Sequence, residues 1–222
     1  MINQAAGHVR EYGGILAVPE KKVLLWLAGR MPACVNSDHL TILGLVSMFA
    51  AGGGFWLARW NKYALFAVVA ALALNWFGDS LDGTLARVRN RQRVRYGYYV
   101  DHVIDLIGTA ALLAGMALSG FMTPLIAAAL LSAYILVAAE TFLATHVRQV
   151  FQLSRFGFGP TELRIVLAVG ALRLFADPWA HLGGSRFLLF DIGGTVAVIG
   201  LLAAFLCSVV RNTYRLYKDE PV

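Results

Sequence analysis

Long apolar stretches separated by short polar connections run along most of this chain of 222 residues. Six stretches are long enough, or nearly so, to cross the hydrocarbon core of a bilayer, which takes about 20 residues of helix. They lie at about 40–58, 63–78, 100–118, 124–145, 163–175 and 187–210. The helix of the second stretch should continue to about residue 87, and the fifth is short because Arg164 and Arg173 bracket it. The pattern predicts an all-α, polytopic membrane protein with six transmembrane helices.

A different pattern precedes the first span. Pro19 suits the first position of a helix, and the residues after it separate into an apolar and a charged side. The apolar side carries Val23, Leu24, Trp26, Leu27 and Met31, and the charged side carries Glu20, Lys21 and Lys22. This separation is typical of an amphipathic helix lying in the membrane interface. The alternative, a helix packed on soluble structure, would find little soluble sequence to pack against.

Composition agrees with a membrane protein, since 59% of the residues are hydrophobic, 14% are charged and the mean hydropathy is +0.65. We expect one domain over residues 1–222, with an interfacial segment at 1–38, a six-helix bundle at about 40–210 and a tail at 211–222. The start of the chain lacks a signal-peptide pattern, so we expect the first span to serve as its own insertion signal. The two cysteines, Cys34 and Cys207, indicate neither a disulfide framework nor a cysteine metal site.

Basic residues orient the predicted bundle. Of the 19 lysines and arginines, only Arg59, Lys62, Arg173 and Arg186 fall on one side. By the positive-inside rule the other side is cytoplasmic. Both termini are then cytoplasmic, the number of spans is even, and the end of the second span faces the cytoplasm. We expect an integral protein of the cell inner membrane.

Four aspartates, Asp79, Asp82, Asp101 and Asp105, lie in or beside these apolar stretches. Spacings of three and four residues place each pair on one face of a helix. Because ionised carboxylates at membrane depth are costly, the cluster needs a compensating cation or a wet cavity. Two such helices facing each other would form a site for a hard divalent cation.

The alternative is that the aspartates pair with the arginines of the intervening loop, at positions 87, 89, 91, 93 and 95. Helical register and the neighbouring glycines Gly83 and Gly97 favour the metal, because glycine lets a ligand approach the backbone closely. Carboxylates, glycine and Arg87 together suit a diphosphate bridged by a metal.

The run Asp79-x-x-Asp82-Gly83-x-x-Ala86-Arg87-x9-Gly97-x-x-x-Asp101-x-x-x-Asp105 resembles the signature of the CDP-alcohol phosphotransferase family at every fixed position. Asn36 and Thr41 are similar to members of a looser motif that precedes the first span in that family. We expect these two residues to contact the diphosphate.

The resemblance implies a homodimeric membrane enzyme of phospholipid synthesis that uses two Mg²⁺ or Mn²⁺ ions. Asp79, Asp82 and Asp101 would bind metal, and Asp105 would be the general base and touch the second metal. The CDP pocket would be lined by Gly83, Ala86, Arg87 and Gly97. An alcohol hydroxyl would attack the phosphorus that carries the donor alcohol, releasing CMP. Partners are a CDP-alcohol donor, an acceptor alcohol and membrane lipid.

Two features resemble the aminoalcohol branch of the family, in which CDP-choline or CDP-ethanolamine reacts with diacylglycerol. His102 follows Asp101 and could relay a proton, and Glu162, in the run 159–162, could recognise a cationic headgroup. The alternatives are an interfacial histidine and a glutamate that favours the first turn of a helix. We lean to the aminoalcohol reaction.

Three arginines, Arg148, Arg155 and Arg164, favour the opposite sense of the reaction, because they could bind a phosphorylated acceptor. CDP-diacylglycerol would then donate to glycerol phosphate or inositol phosphate. Serine is a further polar acceptor for this sense of the reaction. The alternative is that these arginines only follow the positive-inside rule and attract anionic lipid.

Other classes of function are a cation transporter, for which the carboxylates cluster too far to one end, and a hydrolase that uses water in place of the alcohol. The arginine-rich loop beside a phosphate site favours phosphate over nucleic acid as its partner. A stripe of small residues, Gly108, Ala111, Gly115 and Ser119, predicts either a dimer face or internal helix packing.

Overall fold

A computed structural model describes residues 16–148 and 159–220. Within these ranges the chain forms seven helices and one short hairpin. The helices are α1 Ala17–Arg30, α2 Ser37–Ala58, α3 Ala64–Val88, α4 Val94–Ser119, α5 Pro124–Arg148, α6 Pro160–Ala176 and α7 Leu189–Asp219. The hairpin consists of β1 Trp179–Leu182 and β2 Ser185–Leu188. The polytopic helical class predicted from the apolar pattern agrees with this arrangement.

Five of the described helices, α2 to α5 and α7, are long and apolar enough to cross a membrane. Helix α6 is not among them. It has 17 residues, a length of about 26 Å against a hydrocarbon core of about 30 Å. It also carries Glu162, Arg164 and Arg173. The predicted count of six spans is therefore not confirmed.

The boundaries of the elements differ from the prediction at two places. Helix α3 continues to Val88, as expected, but α4 begins at Val94 rather than near residue 100. The hairpin is absent from the all-α prediction, and α7 consequently begins at Leu189 and not at 187. Its strands pair antiparallel, and the turn between them contains Gly183 and Gly184, both at positive φ. Such a two-glycine turn suits the twist of a tight hairpin.

Helix α2 crosses α4 with almost no side chain between the two backbones. A Cβ built on Gly52 would lie 2.4 Å from the carbonyl oxygen of Ala111, and one built on Gly115 would lie 2.0 Å from the carbonyl oxygen of Gly52. Gly108 is similarly covered by Met48 of α2. The small-residue stripe of α4 therefore packs inside the protein, as close helix pairs in membranes commonly do.

Helices α2 and α3 meet in the same way, one residue before the first aspartate. A Cβ on Gly78 would lie 2.5 Å from the carbonyl oxygen of Leu40 and 2.7 Å from the backbone nitrogen of Gly44. The crossing fixes how far α3 can move along α2. Asp79, which follows Gly78 directly, therefore has its Cα held at the contact.

Helix α1 packs its buried residues Leu24 and Ala28 against Leu81 and Leu85 of α3. Val23 and Trp26, predicted on the same apolar side as Leu24, are exposed. The carboxylate of Glu20 joins α1 to two other helices, because Oε1 accepts hydrogen bonds from Trp76 Nε1 of α3 and Thr161 Oγ1 of α6, both at 2.7 Å. Placement of α1 in a membrane interface stays a prediction.

We predict that Gly52→Ala lowers the thermal unfolding midpoint of the purified protein in detergent, because the new methyl group would overlap Ala111. Overpacking of this kind costs about 1–3 kcal/mol. The matched control is Gly53→Ala, where a Cβ meets nothing within 4 Å, so its midpoint should equal or exceed that of the wild type. Equal midpoints for the two variants would contradict the close α2–α4 contact.

Candidate functional site

Three of the four predicted aspartates come together where the end of α3 faces the first half of α4. One carboxylate oxygen from each of Asp79, Asp101 and Asp105 lies within 4.8 Å of the others. Asp79 and Asp101 are half-buried, while Asp105 is exposed. The helical spacings predicted from the sequence thus bring carboxylates from two helices to one point.

The separation and chemistry of these oxygens fit a divalent metal. Mg²⁺ binds oxygen at about 2.1 Å in an octahedron, so ligand oxygens lie about 3 Å apart at adjacent corners and about 4.2 Å apart at opposite ones. Oxygens within 4.8 Å need only small side-chain rotations to reach those values. Carboxylates are also the ligand class that Mg²⁺ and Mn²⁺ prefer.

Asp82 lies outside this group of three in the described structure. Its Oδ2 accepts a hydrogen bond from Thr41 Oγ1 at 2.6 Å, and its Oδ1 accepts one from the backbone nitrogen of Gly83. Thr41 belongs to α2, so this contact ties the two helices together near the site. Metal binding by Asp82 and a diphosphate contact for Thr41 stay predictions.

The carboxylate of Asp79 contacts Arg164, which was predicted from the sequence to bind a phosphorylated acceptor. Arg164 of α6 donates from Nη2 to Asp79 Oδ2 at 2.5 Å and from Nε to the side-chain oxygen of Asn75 at 2.6 Å. Asn75 in turn donates from Nδ2 to the carbonyl oxygen of Gly44 at 2.9 Å. The available signal was polarity at membrane depth, since Asn75 and Arg164 both interrupt apolar stretches.

Two of the loop arginines are engaged away from the three-carboxylate group. Arg89 donates to the carbonyl oxygens of Met31 at 2.8 Å and Pro32 at 2.9 Å, and also to that of Val35. Arg93 pairs with Asp38 of α2. These contacts shape the connection between α1 and α2 and offer no support for Arg89 or Arg93 as the counter-ions of the aspartates.

His102 packs between two aromatic rings on the side of α4. Its ring centroid lies 4.2 Å from that of Tyr98 and 5.0 Å from that of Phe142. Nδ1 lies 2.7 Å from the carbonyl oxygen of Tyr98 and 3.8 Å from Asp101 Oδ2. A relay from His102 to Asp105 stays a prediction.

Glu162 caps backbone groups at the start of α6. Its Oε2 accepts a hydrogen bond from the backbone nitrogen of Gly159, and Oε1 accepts one from that of Leu16, both at 3.0 Å. The first contact is the capping role that the sequence left open as the alternative. Recognition of a cationic headgroup by Glu162 finds no support in these contacts and stays a prediction.

A cleft of about 440 Å³ opens between the start of α2 and the loop after α3. Two predicted substrate residues, Asn36 and Ala86, line it together with Arg89, Arg91 and Arg93. The side chain of Asn36 also accepts a hydrogen bond from the backbone nitrogen of His39 at 3.0 Å, capping α2. The guanidinium groups make the cleft suitable for a phosphorylated ligand.

The remaining predicted substrate residues differ in their placement. Gly97 is exposed, and a Cβ there would meet nothing within 4 Å. Gly83 is half-buried, and Arg87 is exposed and donates to Thr84 Oγ1 at 3.0 Å. Arg155 and the side chain of Arg148 lie outside the part of the chain that the structure describes.

Comparison with known proteins adds one family match and two individual likenesses. The model of the CDP-alcohol phosphatidyltransferase family matches residues 36–210. Archaetidylinositol phosphate synthase of Pyrococcus horikoshii is 32% identical over 88 residues, which is 40% of this chain and 44% of that relative. The matched part thus spans less than half of the relative's length.

The second likeness is one of fold. The crystal structure of Mycobacterium tuberculosis phosphatidylinositol phosphate synthase with CDP-DAG bound superposes with a TM-score of 0.58 at 18% sequence identity. The superposition covers 88% of this chain and 94% of that structure. At this identity the likeness concerns the arrangement of helices alone.

We predict that Asp101→Asn weakens Mn²⁺ binding at least tenfold, because one anionic oxygen of the three is lost. Electron paramagnetic resonance of free Mn²⁺ in a titration of the purified protein measures the affinity. The control, Asp219→Asn, removes an exposed carboxylate at the end of α7 and should bind as the wild type does. Equal losses in the two variants would mean that only total charge matters.

Proposed function

Because the chain belongs to the CDP-alcohol phosphatidyltransferase family, we propose that it transfers a phosphatidyl-type group from a CDP-linked lipid to a hydroxyl of inositol phosphate, releasing CMP. The reaction belongs to phospholipid synthesis in a membrane. The observation that carries the proposal is that helix α3 contributes both to the three-carboxylate site, through Asp79, and to an arginine-lined cleft, through Ala86.

The relatives support this sense of the reaction over the aminoalcohol one. Both are named as synthases of inositol-phosphate lipids, and the structural relative is described with CDP-DAG bound. Glu162, one of the two residues on which the aminoalcohol interpretation depended, has backbone partners at the start of α6. The comparisons therefore favour CDP-diacylglycerol as the donor over CDP-choline or CDP-ethanolamine, the donors favoured by the sequence alone.

Each side chain of the site has a distinct task in the proposed reaction. Asp79 and Asp101 hold Mg²⁺ or Mn²⁺, which when bound supplies positive charge for the diphosphate oxygens and the departing CMP. Asp105, the most exposed of the three carboxylates, takes the proton from the acceptor hydroxyl. The hydroxyl oxygen forms a bond to the phosphorus that carries the lipid, and the bond from that phosphorus to the CMP oxygen breaks.

The cleft between the start of α2 and the loop after α3 suits the nucleotide end of the donor. Ala86 has a small side chain that leaves room there, and Arg91 supplies charge opposite to that of a phosphate. Arg93 lines the cleft too, but it pairs with Asp38. Asn36 lines the same cleft from the start of α2. A polar nucleotide at this position would leave the lipid tail of the donor among the apolar helices.

The direct test measures CMP release by the purified protein in lipid nanodiscs. The donors are CDP-diacylglycerol, CDP-choline and CDP-ethanolamine, and the acceptors are inositol phosphate, glycerol phosphate, serine and diacylglycerol. We expect release with CDP-diacylglycerol and inositol phosphate, its loss in EDTA, and its return with Mg²⁺ or Mn²⁺. Release at an equal rate without any acceptor would identify a hydrolase, and release only from CDP-choline or CDP-ethanolamine would reinstate the aminoalcohol reaction.

We predict that Asp105→Asn lowers the rate of CMP release by about 10²–10⁴-fold, the usual contribution of a general base. Mn²⁺ binding should fall less than in Asp101→Asn, because Asp105 is proposed as the base and not as a main metal ligand. The same assay with Asp219→Asn should give the wild-type rate. Full activity of Asp105→Asn would remove Asp105 from the role of base.

A further inference from the structure

Arg164 contacts a predicted metal ligand with one nitrogen and a neighbouring amide with another. Nη2 lies 2.5 Å from Asp79 Oδ2, and Nε lies 2.6 Å from the side-chain oxygen of Asn75. We propose that Arg164 is a positioning residue that fixes the carboxylate of Asp79 for metal binding, and that Asn75 fixes Arg164. The inference rests on the metal site of the proposed function. Arg164 and Asn75 lie outside the signature run, which therefore assigns them no role.

Helix α3 presents Asn75 and Asp79 on the same side. Asn75 and Asp79 are four residues apart, so their side chains lie on the same face of the helix. The guanidinium group of Arg164 is planar, and its Nε–Nη2 edge reaches both residues at once. An arginine held at two points cannot rotate freely, and a carboxylate held by that arginine has its plane restricted in turn.

Asn75 connects these contacts to the packed interior of the bundle. Asn75 is only 5% exposed and donates to the carbonyl oxygen of Gly44 at 2.9 Å. That carbonyl belongs to α2 at its close crossing with α3. Asp79 is therefore connected to the rigid part of the bundle through two side chains, one from its own helix and one from α6.

The ion pair between Arg164 and Asp79 is largely buried. The side chains of Arg164 and Asp79 are 14% and 23% exposed, so bringing them out of water offsets much of their attraction, and a buried pair is weak evidence for stability. Arg164 Nη1 is also buried without a hydrogen-bond partner among the residues described. Stability alone therefore does not account for the pair, and the direct result of the contact is the fixed position of the Asp79 carboxylate.

Two other roles would give different measurements. A guanidinium acting only as a counter-ion would compete with the metal for Asp79, so its removal would tighten metal binding. A guanidinium acting only as a contact for substrate phosphate, through Nη1, would raise the KM of the CDP-lipid and leave metal affinity unchanged. Positioning alone predicts weaker metal binding in the absence of substrate.

The main test is Arg164→Lys. Lysine keeps the positive charge, but its single ammonium group lacks the planar pair of nitrogens that contacts Asp79 and Asn75 together. Mn²⁺ affinity is measured by electron paramagnetic resonance without substrate. We expect binding to weaken about 10–100-fold, the usual effect of losing a group that orients a metal ligand. The matched control is Arg173→Lys on the same helix, whose arginine contacts Asp177 instead, and it should bind as the wild type does.

Two further variants separate orientation from charge. Arg164→Gln should also weaken Mn²⁺ binding, although it removes a positive charge beside the site. Asn75→Ala leaves every charge in place and should weaken it in the same direction. In the double variant Asn75→Ala with Arg164→Lys the losses should be less than additive, because both residues act on Asp79 as one unit. Elution volume and thermal midpoint in detergent check that each variant folds.

The inference is overturned if Arg164→Lys or Arg164→Gln binds Mn²⁺ as tightly as the wild type or more tightly. It is also overturned if the only change is a higher KM for the CDP-lipid, or if Asn75→Ala has no effect on affinity. A failure of the proposed function looks different. The wild type would then release no CMP from any donor, yet Mn²⁺ binding without substrate would still decide the role of Arg164.

Discussion

The direct contact of helix backbones at glycine determines where the charged groups of this protein lie. Helix α2 touches α3 at Gly44 and Gly78, and touches α4 at Gly52 and Gly115. Lipid provides no hydrophobic force between spans, so close van der Waals packing has to hold them together. Both contacts involve α2. This helix therefore brings Asp79 of α3 close to Asp101 and Asp105 of α4, although it contributes no carboxylate to that group.

The four aspartates differ in their surroundings. Asp79 contacts Arg164, Asp82 accepts from Thr41, and Asp101 and Asp105 share a group with Asp79. Carboxylates at the edge of an apolar bundle are costly when left unpaired. In the proposed reaction their combined negative charge would attract a divalent cation, and that cation would attract an anionic diphosphate.

The sequence was sufficient for the parts of the fold that depend on local pattern. Apolar length predicted helices α2 to α5, and the spacing of the aspartates predicted that Asp101 and Asp105 share a helix face. The hairpin at 179–188 was missed because residues 179–186 lie in the connection between two predicted spans, where two strands of four residues each give too short a pattern to recognise. The Arg164–Asp79 contact joins residues 85 positions apart, and a single sequence carries no signal for which distant charges meet. Arg164 could be recognised as unusual, but not assigned its partner.

The Arg164–Asp79 pair has a consequence for the order in which the protein is made. A chain is synthesised from its N-terminus, and its segments assemble as they emerge. Helices α2, α3 and α4, with both glycine contacts and all three carboxylates, are complete before α6 leaves the ribosome. The nascent bundle therefore carries its acidic cluster before the guanidinium that restrains Asp79 exists. Until α6 docks, that carboxylate has no guanidinium partner from α6, and docking of α6 is the step that supplies one.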